Sequence, residues 1–190
     1  ELVANQNLIS SCNIKFSETD GGHYINHQFA NPNLDIDRND LHLIYQPNLA
    51  DSTASAEYST EDYQTTAIDV VLETLFDDSR LHLTEKTLRS IACGRPFILA
   101  ATPGSLQYLR SYGFETFEGL IDETYDTVKH NGDRLEAVTK EIIRFLDRPI
   151  EQIKEDYIRA IPVIEHNRNL MYSQSHDLDK RLQSIVDRYA

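Results

Sequence analysis

The sequence predicts an α/β protein, a parallel sheet flanked by helices and closed by an all-helical C-terminal third. Three observations lead there. Two short apolar runs, Ala67–Thr74 and Pro96–Ala101, each precede a helix that carries its own start and stop signals. The connections between these elements are short, and a strand–helix–strand–helix order with short links gives a layered sheet with right-handed crossovers. From Asp133 onward the apolar residues recur with a helical period alone.

Residues 1–66 are expected to form an irregular or partial N-terminal segment with short strands. Asn13–Phe16 and Leu41–Tyr45 read as strands among turn-rich stretches such as Gly21-Gly22 and Asn31-Pro32-Asn33. Residues 46–66 are polar and acidic and read as a long surface loop with a short helix. Residues 67–190 form the second segment. In Ala67–Thr74 a β-branched centre marks a strand buried on both faces, with Glu73 at its carboxyl end. Thr84 can cap the following helix, in which Leu88, Ile91 and Ala92 share one face, and Gly94 supplies a left-handed stop. Pro96–Ala101 is the next strand. Thr102-Pro103-Gly104-Ser105 turns into a helix with Leu106, Leu109 and Tyr112 facing inward, ended by Gly113. Ile121–Asp126 reads as an acidic loop, either a solvated helix-capping loop or one that faces sugar hydroxyls. Leu135, Val138, Ile142, Phe145 and Leu146 define the apolar face of a further helix, Pro149 opens another that breaks at Pro162, and a last helix runs from about Asp177 to Tyr189.

At 190 residues and 40% hydrophobic content the chain is long enough for one substantial core. Its formal net charge of −13 argues against nucleic acid and anionic membranes as partners, since both are bound through Lys and Arg. Between Ser79 and Phe114, however, Arg80, Lys86, Arg89, Arg95 and Arg110 face a single acid, Glu85. A local basic segment in an acidic chain suits a small phosphorylated ligand. Only two cysteines occur, Cys12 and Cys93, with no disulfide or zinc spacing. Neither a signal peptide nor an apolar run of membrane-spanning length is present, so a cytoplasmic protein is expected; a first residue of Glu rather than Met suggests part of a longer one.

The candidate site is Thr84-Glu85-Lys86 at a helix start, where unpaired N–H groups and the dipole favour an anion. Ordinary capping explains Thr84 and Glu85 equally well. Lys86 is different, because a cation in the first turn opposes the dipole and calls for a reason. Arg89 and Arg95 are candidate phosphate partners with solvated arginines as the alternative. Glu73 stands where ligands gather in open α/β sheets, and Ser105 is a helix-start residue able to donate to a phosphate. Other constellations carry less. Asp35-Ile36-Asp37 has the letters of a metal motif in a turn-rich segment, and His23 and His27 lack the Glu of a zinc helix. Pro103-Gly104-Ser105-Leu106 is no nucleophile elbow.

The order Val-Leu-Glu-Thr, loop, Leu-Thr-Glu-Lys-Thr, a helix ending Cys-Gly-Arg-Pro, then Phe-Ile-Leu and a Pro-Gly turn resembles the donor half of glycosyltransferases with two Rossmann-like domains, the GT-B architecture, and most nearly their fucosyltransferase and exostosin-like groups. The resemblance covers roughly Val70–Asp126. It implies that Glu85 holds a nucleotide ribose and Lys86 the diphosphate, with Thr84 capping the helix that presents them. It also implies a nucleoside diphosphate sugar as substrate, a hydroxyl acceptor, and no metal cofactor, cationic side chains taking the place of a divalent ion. The acceptor domain and its general base have no counterpart in residues 1–66. A non-catalytic binding module and a nucleotide or sugar-phosphate processing enzyme are the alternative readings.

Overall fold

The β-branched pair Val70 and Val71 builds β1 (Asp69–Leu72), which runs parallel to β2 (Phe97–Ala100) with Asp69 opposite Phe97 and Leu72 opposite Ala100. The computed structural model describes residues 12–13, 58–77 and 80–189. It divides the chain into two compact units, Glu1–Thr66 and Ala67–Ala190. In the first, helix α1 (Thr60–Gln64) is capped by Ser59, whose Oγ accepts from the Glu61 N–H at 3.3 Å. The strand expected at Leu41–Tyr45, most of that at Asn13–Phe16, Asp35, Asp37, His23 and His27 lie outside the described residues.

The second unit is mixed α and β, mostly helical, with a two-stranded parallel sheet among its described residues. β2 is buried along its whole length, as expected of a sheet covered on both faces. β1 is not: Val71 is buried, but Leu72 is 66% exposed. Alternation explains this, since Asp69, Val71 and Glu73 point to one face and Leu72 to the other. Helix α2 (Glu85–Ala92) packs on the Asp69/Val71/Glu73 face. Its buried stripe is Thr87, Ser90 and Ile91, while Leu88, expected inside, is 41% exposed. The stripe is polar because β1 offers carboxylates to it: the Ser90 hydroxyl donates to Asp69 at 2.5 Å and the Thr87 hydroxyl to Glu73 at 2.5 Å. Gly94 ends the turn at φ +66°, the left-handed stop its position predicts.

On the far edge of β2 the sheet is closed by a side chain. The carbonyls of Pro96 and Ala100 accept from the Asp69 N–H of β1 and from the Glu73 N–H just after it, so the intervening Leu99 N–H points away from that strand. It donates instead to the buried Tyr125 hydroxyl at 3.0 Å.

Helix α3 (Ser105–Ser111) starts at Gly104, φ +86°, and buries Leu106 and Leu109, but Tyr112 is 53% exposed rather than facing inward. The acidic Ile121–Asp126 stretch contains a 3-10 helix, Glu123–Thr127, with Glu123, Tyr125 and Asp126 buried. Helix α4 (Asn131–Leu146) turns Val138, Ile142 and Phe145 inward, whereas Leu135 is 56% exposed because Arg134 takes the inner position in that turn.

The largest departure is helix α5 (Ile150–Tyr189), a single helix where a break at Pro162 and a separate helix from Asp177 were expected. Ile153, Asp156, Ala160, Ile164 and Asn167 bind it to the core on both sides of the proline. Asn167 alone takes both polar groups of the Glu115 backbone, accepting from its N–H at 2.8 Å and donating to its carbonyl at 2.9 Å. Pro162 itself is exposed, so packing carries the helix across a residue that cannot donate to the turn before it. Pro162→Ala should therefore stabilise the protein by about 1–3 kcal/mol, read as a higher urea midpoint. A lower or unchanged midpoint would mean that the helix is already bent to accommodate the ring.

Candidate functional site

The site lies at the carboxyl edge of the two parallel strands. Glu73, the first residue after β1, is 7% exposed, and its carboxylate accepts from the Thr84 N–H at 3.0 Å, the Thr84 hydroxyl at 2.6 Å and the Thr87 hydroxyl at 2.5 Å. Burial works to raise its pKa, but these hydrogen bonds and the nearby Lys86 ammonium outweigh it and hold the carboxyl below its ordinary value. Glu73 is thus a bracket, which fixes the start of α2 against the end of β1.

The bracket presents the first turn of α2 to solvent. Thr84 caps the helix, its hydroxyl accepting from the Lys86 N–H at 3.4 Å. The Lys86 ammonium donates to the Thr74 hydroxyl at 3.2 Å and the Thr84 hydroxyl at 3.4 Å, and lies 3.6 Å from the Glu85 carboxylate. Arg89, one turn on, stands 4.0 Å from the same carboxylate. The side chains of Lys86 and Glu85 are each more than a third exposed. A cation and a carboxylate therefore share one accessible patch, with a second, less exposed cation next to them.

Of the residues singled out from the sequence, Glu73, Thr84, Glu85, Lys86 and Arg89 come together here. Arg95 does not. It follows the other end of α2, where its guanidinium donates to the Tyr157 hydroxyl and lies over that ring at 5.8 Å. Ser105 sits at the same carboxyl edge after β2, but it is wholly buried and its hydroxyl donates to the Thr102 carbonyl at 2.6 Å.

Among the segments that follow β1 and β2 is a cavity of about 700 Å³, floored by the buried Thr102, Glu123 and Asp126 and rimmed by the exposed Asp77, Gln107 and Lys129. The carboxylates of its floor are held by the fold. Asp126 accepts from the Leu106 N–H at 3.2 Å at the start of α3, and burial raises its pKa against the pull of the Ser105, Leu106 and Gln107 N–H groups. Glu123 pairs with Arg110 and accepts from the Thr116 hydroxyl at 2.8 Å and the Phe117 N–H at 2.6 Å. Burial raises its pKa too.

Beneath the cavity Arg134 is 1% exposed and donates to four backbone carbonyls, those of Ala101, Val128, Lys129 and Phe76, and to the Asn131 side chain. Each carbonyl belongs to a cavity-lining residue or its chain neighbour. None of these roles was read from the sequence. A signal for Arg134 was present, since a cation in the first turn of a helix opposes the dipole there as it does at Lys86.

The described residues contain no group of three His, Cys, Asp or Glu that could hold a metal ion, and no helix long and apolar enough to cross a membrane. No protein-family model, curated protein or solved structure matches the chain.

Proposed function

We propose that residues 67–190 are the donor-binding half of a glycosyltransferase with Rossmann-like domains, taking a nucleoside diphosphate sugar. The observation that carries this reading is Lys86: an accessible ammonium in the first turn of α2, at the carboxyl edge of parallel strands, held there by the Thr74 and Thr84 hydroxyls. Its place opposes the helix dipole; the Glu73 and Glu85 carboxylates offset part of that cost, and an anionic ligand offsets more of it. Helix α2, with eight residues, is long enough to present such a terminus. Glu85, next to Lys86 and accessible, accepts from ribose hydroxyls; Arg89 adds a second cation to the patch.

In the transfer, the bond from the sugar's anomeric carbon to the diphosphate breaks and a bond to an acceptor hydroxyl oxygen forms. The acceptor's proton passes to a general base in the acceptor half, and the nucleoside diphosphate leaves with its charge balanced by Lys86. The test is direct because the Lys86 side chain makes none of the three hydrogen bonds to the Glu73 carboxylate, which stay in place when it is replaced. Calorimetric titration with UDP, GDP and CDP should show binding of at least one. Lys86→Ala should weaken it by about 1.5–3 kcal/mol, the worth of a charge-assisted contact. If the wild type binds none of the three, the proposal is wrong.

A further inference from the structure

The cavity that follows the two strands has a chemistry different from that of the α2 terminus. Asp77, Glu123 and Asp126 face it against Arg110 and Lys129, so its lining carries more negative than positive charge. Two features remove its capacity for an anion still further. At the start of α3 the Leu106 N–H is taken by the Asp126 carboxylate and the Ser105 N–H by the Thr102 carbonyl, and the Arg110 guanidinium is committed to Glu123 and to the Thr116 hydroxyl at 2.6 Å. A phosphate placed here would meet the repulsion of three carboxylates, with these donors already engaged.

Neutral hydroxyls fit the same lining. The Gln107 amide and the Asp77 carboxylate are planar two-point partners for adjacent hydroxyls, the Asn131 amide adds N–H donors while its oxygen accepts from Arg134, and Pro103 and Gly104 add a nonpolar wall for ring carbons. The cavity is also within reach of the phosphate site. Thr74 holds the Lys86 ammonium at 3.2 Å, and Asp77 lies three residues further along the same loop. That separation is at most about 11 Å of chain.

Resting on the donor-site reading above, we propose that this cavity holds the glycosyl group of the donor, a neutral hexose facing Asp77, Gln107 and Asn131, while the diphosphate stays at Lys86. Charge divides the ligand between two adjacent sites: the anion at the cationic helix start, the hydroxyls in the acidic cavity. Asp77, Gln107 and Asn131 are all exposed, so their side chains can be altered without opening the core.

The experiment compares UDP with UDP-glucose and GDP with GDP-mannose on the wild type, on Lys86→Ala and on the double variant Asp77→Ala/Gln107→Ala, with circular dichroism confirming the fold of each. Lys86→Ala should weaken nucleotide and nucleotide sugar alike. The double variant should keep the wild-type affinity for the nucleotide and lose about tenfold toward the sugar form, as expected for two hydrogen bonds. Saturation-transfer NMR should show the sugar protons in contact in the wild type and released in the double variant. Nucleotide binding with sugar affinity unchanged in the double variant would overturn the cavity assignment alone. Absence of nucleotide binding by the wild type would overturn the donor-site reading and this inference with it. If the double variant weakens the plain nucleotide as much as the sugar form, the cavity binds phosphate or nucleoside and the division of the ligand is wrong.

Discussion

Replacing Arg134 with Met will destabilise the protein by about 3–5 kcal/mol, a large share of the 5–15 kcal/mol typical of a domain. The guanidinium has five N–H groups. All five are used: Nε on the Ala101 carbonyl at 3.1 Å, Nη1 on those of Val128 at 2.9 Å and Lys129 at 3.1 Å, and Nη2 on the Phe76 carbonyl and on Asn131 Oδ1 at 3.1 Å. The plane also lies 4.3 Å from the centroid of the Phe76 ring. Met preserves most of the volume and leaves four carbonyls without their donor, each costing about 1–3 kcal/mol where water cannot replace it. Arg134→Lys should recover only part of the loss, since three donors on a flexible stem cannot reproduce a planar fork. Urea unfolding followed by circular dichroism measures both. A loss below about 1 kcal/mol for Arg134→Met would show that water takes over the carbonyls and that Arg134 does not organise the cavity.

Glu73→Ala should cost about 3–4 kcal/mol, because it strips the acceptor from three donors at once, two of them on the helix cap. Glu73→Gln should cost less, since one amide oxygen can still accept. The charge has a pH signature. The native carboxyl titrates below its unfolded counterpart, so the native state binds fewer protons across that interval. The stability it contributes is complete above the unfolded pKa of about 4.3 and is lost as pH falls through the native value. Between about pH 5 and 3 the wild type should lose stability more steeply than Glu73→Gln. Parallel curves for the two proteins would mean that Glu73 does not carry the charge that holds α2.

The parts of the fold that could be read from the sequence are those written in local chemistry. Thr84 as a cap, Gly94 and Gly113 as left-handed stops, and the uninterrupted apolar run of β2 each depend on neighbours within a few residues. Local chemistry misleads where a distant partner changes what a residue prefers. Thr87 and Ser90 look like surface residues until β1 brings Glu73 and Asp69 over them, 14 and 21 residues away in the chain. Leu88 is displaced outward as a result. Pro162 signals a break locally, and tertiary packing on both sides carries the helix through it.

The candidate site divides in the same way. The Thr84-Glu85-Lys86 terminus was visible because its residues are consecutive. Its support was not, since Glu73 reads equally well as a ligand-facing carboxylate until the hydrogen bonds from Thr84 and Thr87 are known. The cavity draws Asp77, Gln107, Lys129 and Asn131 from separate loops and helix ends, with no common pattern in the sequence. Its acidic floor has the local signature of a solvated loop, and only the fold shows that burial gives Glu123 and Asp126 each a fixed structural partner.

The claim that the start of α2 binds a nucleoside diphosphate is tested most directly by amide NMR correlation spectra of the isotope-labelled protein titrated with UDP and GDP. Saturable shifts should concentrate at Thr74, Glu85, Lys86 and Thr87 and disappear in Lys86→Ala. Shifts gathered elsewhere, or none at millimolar nucleotide, would contradict it.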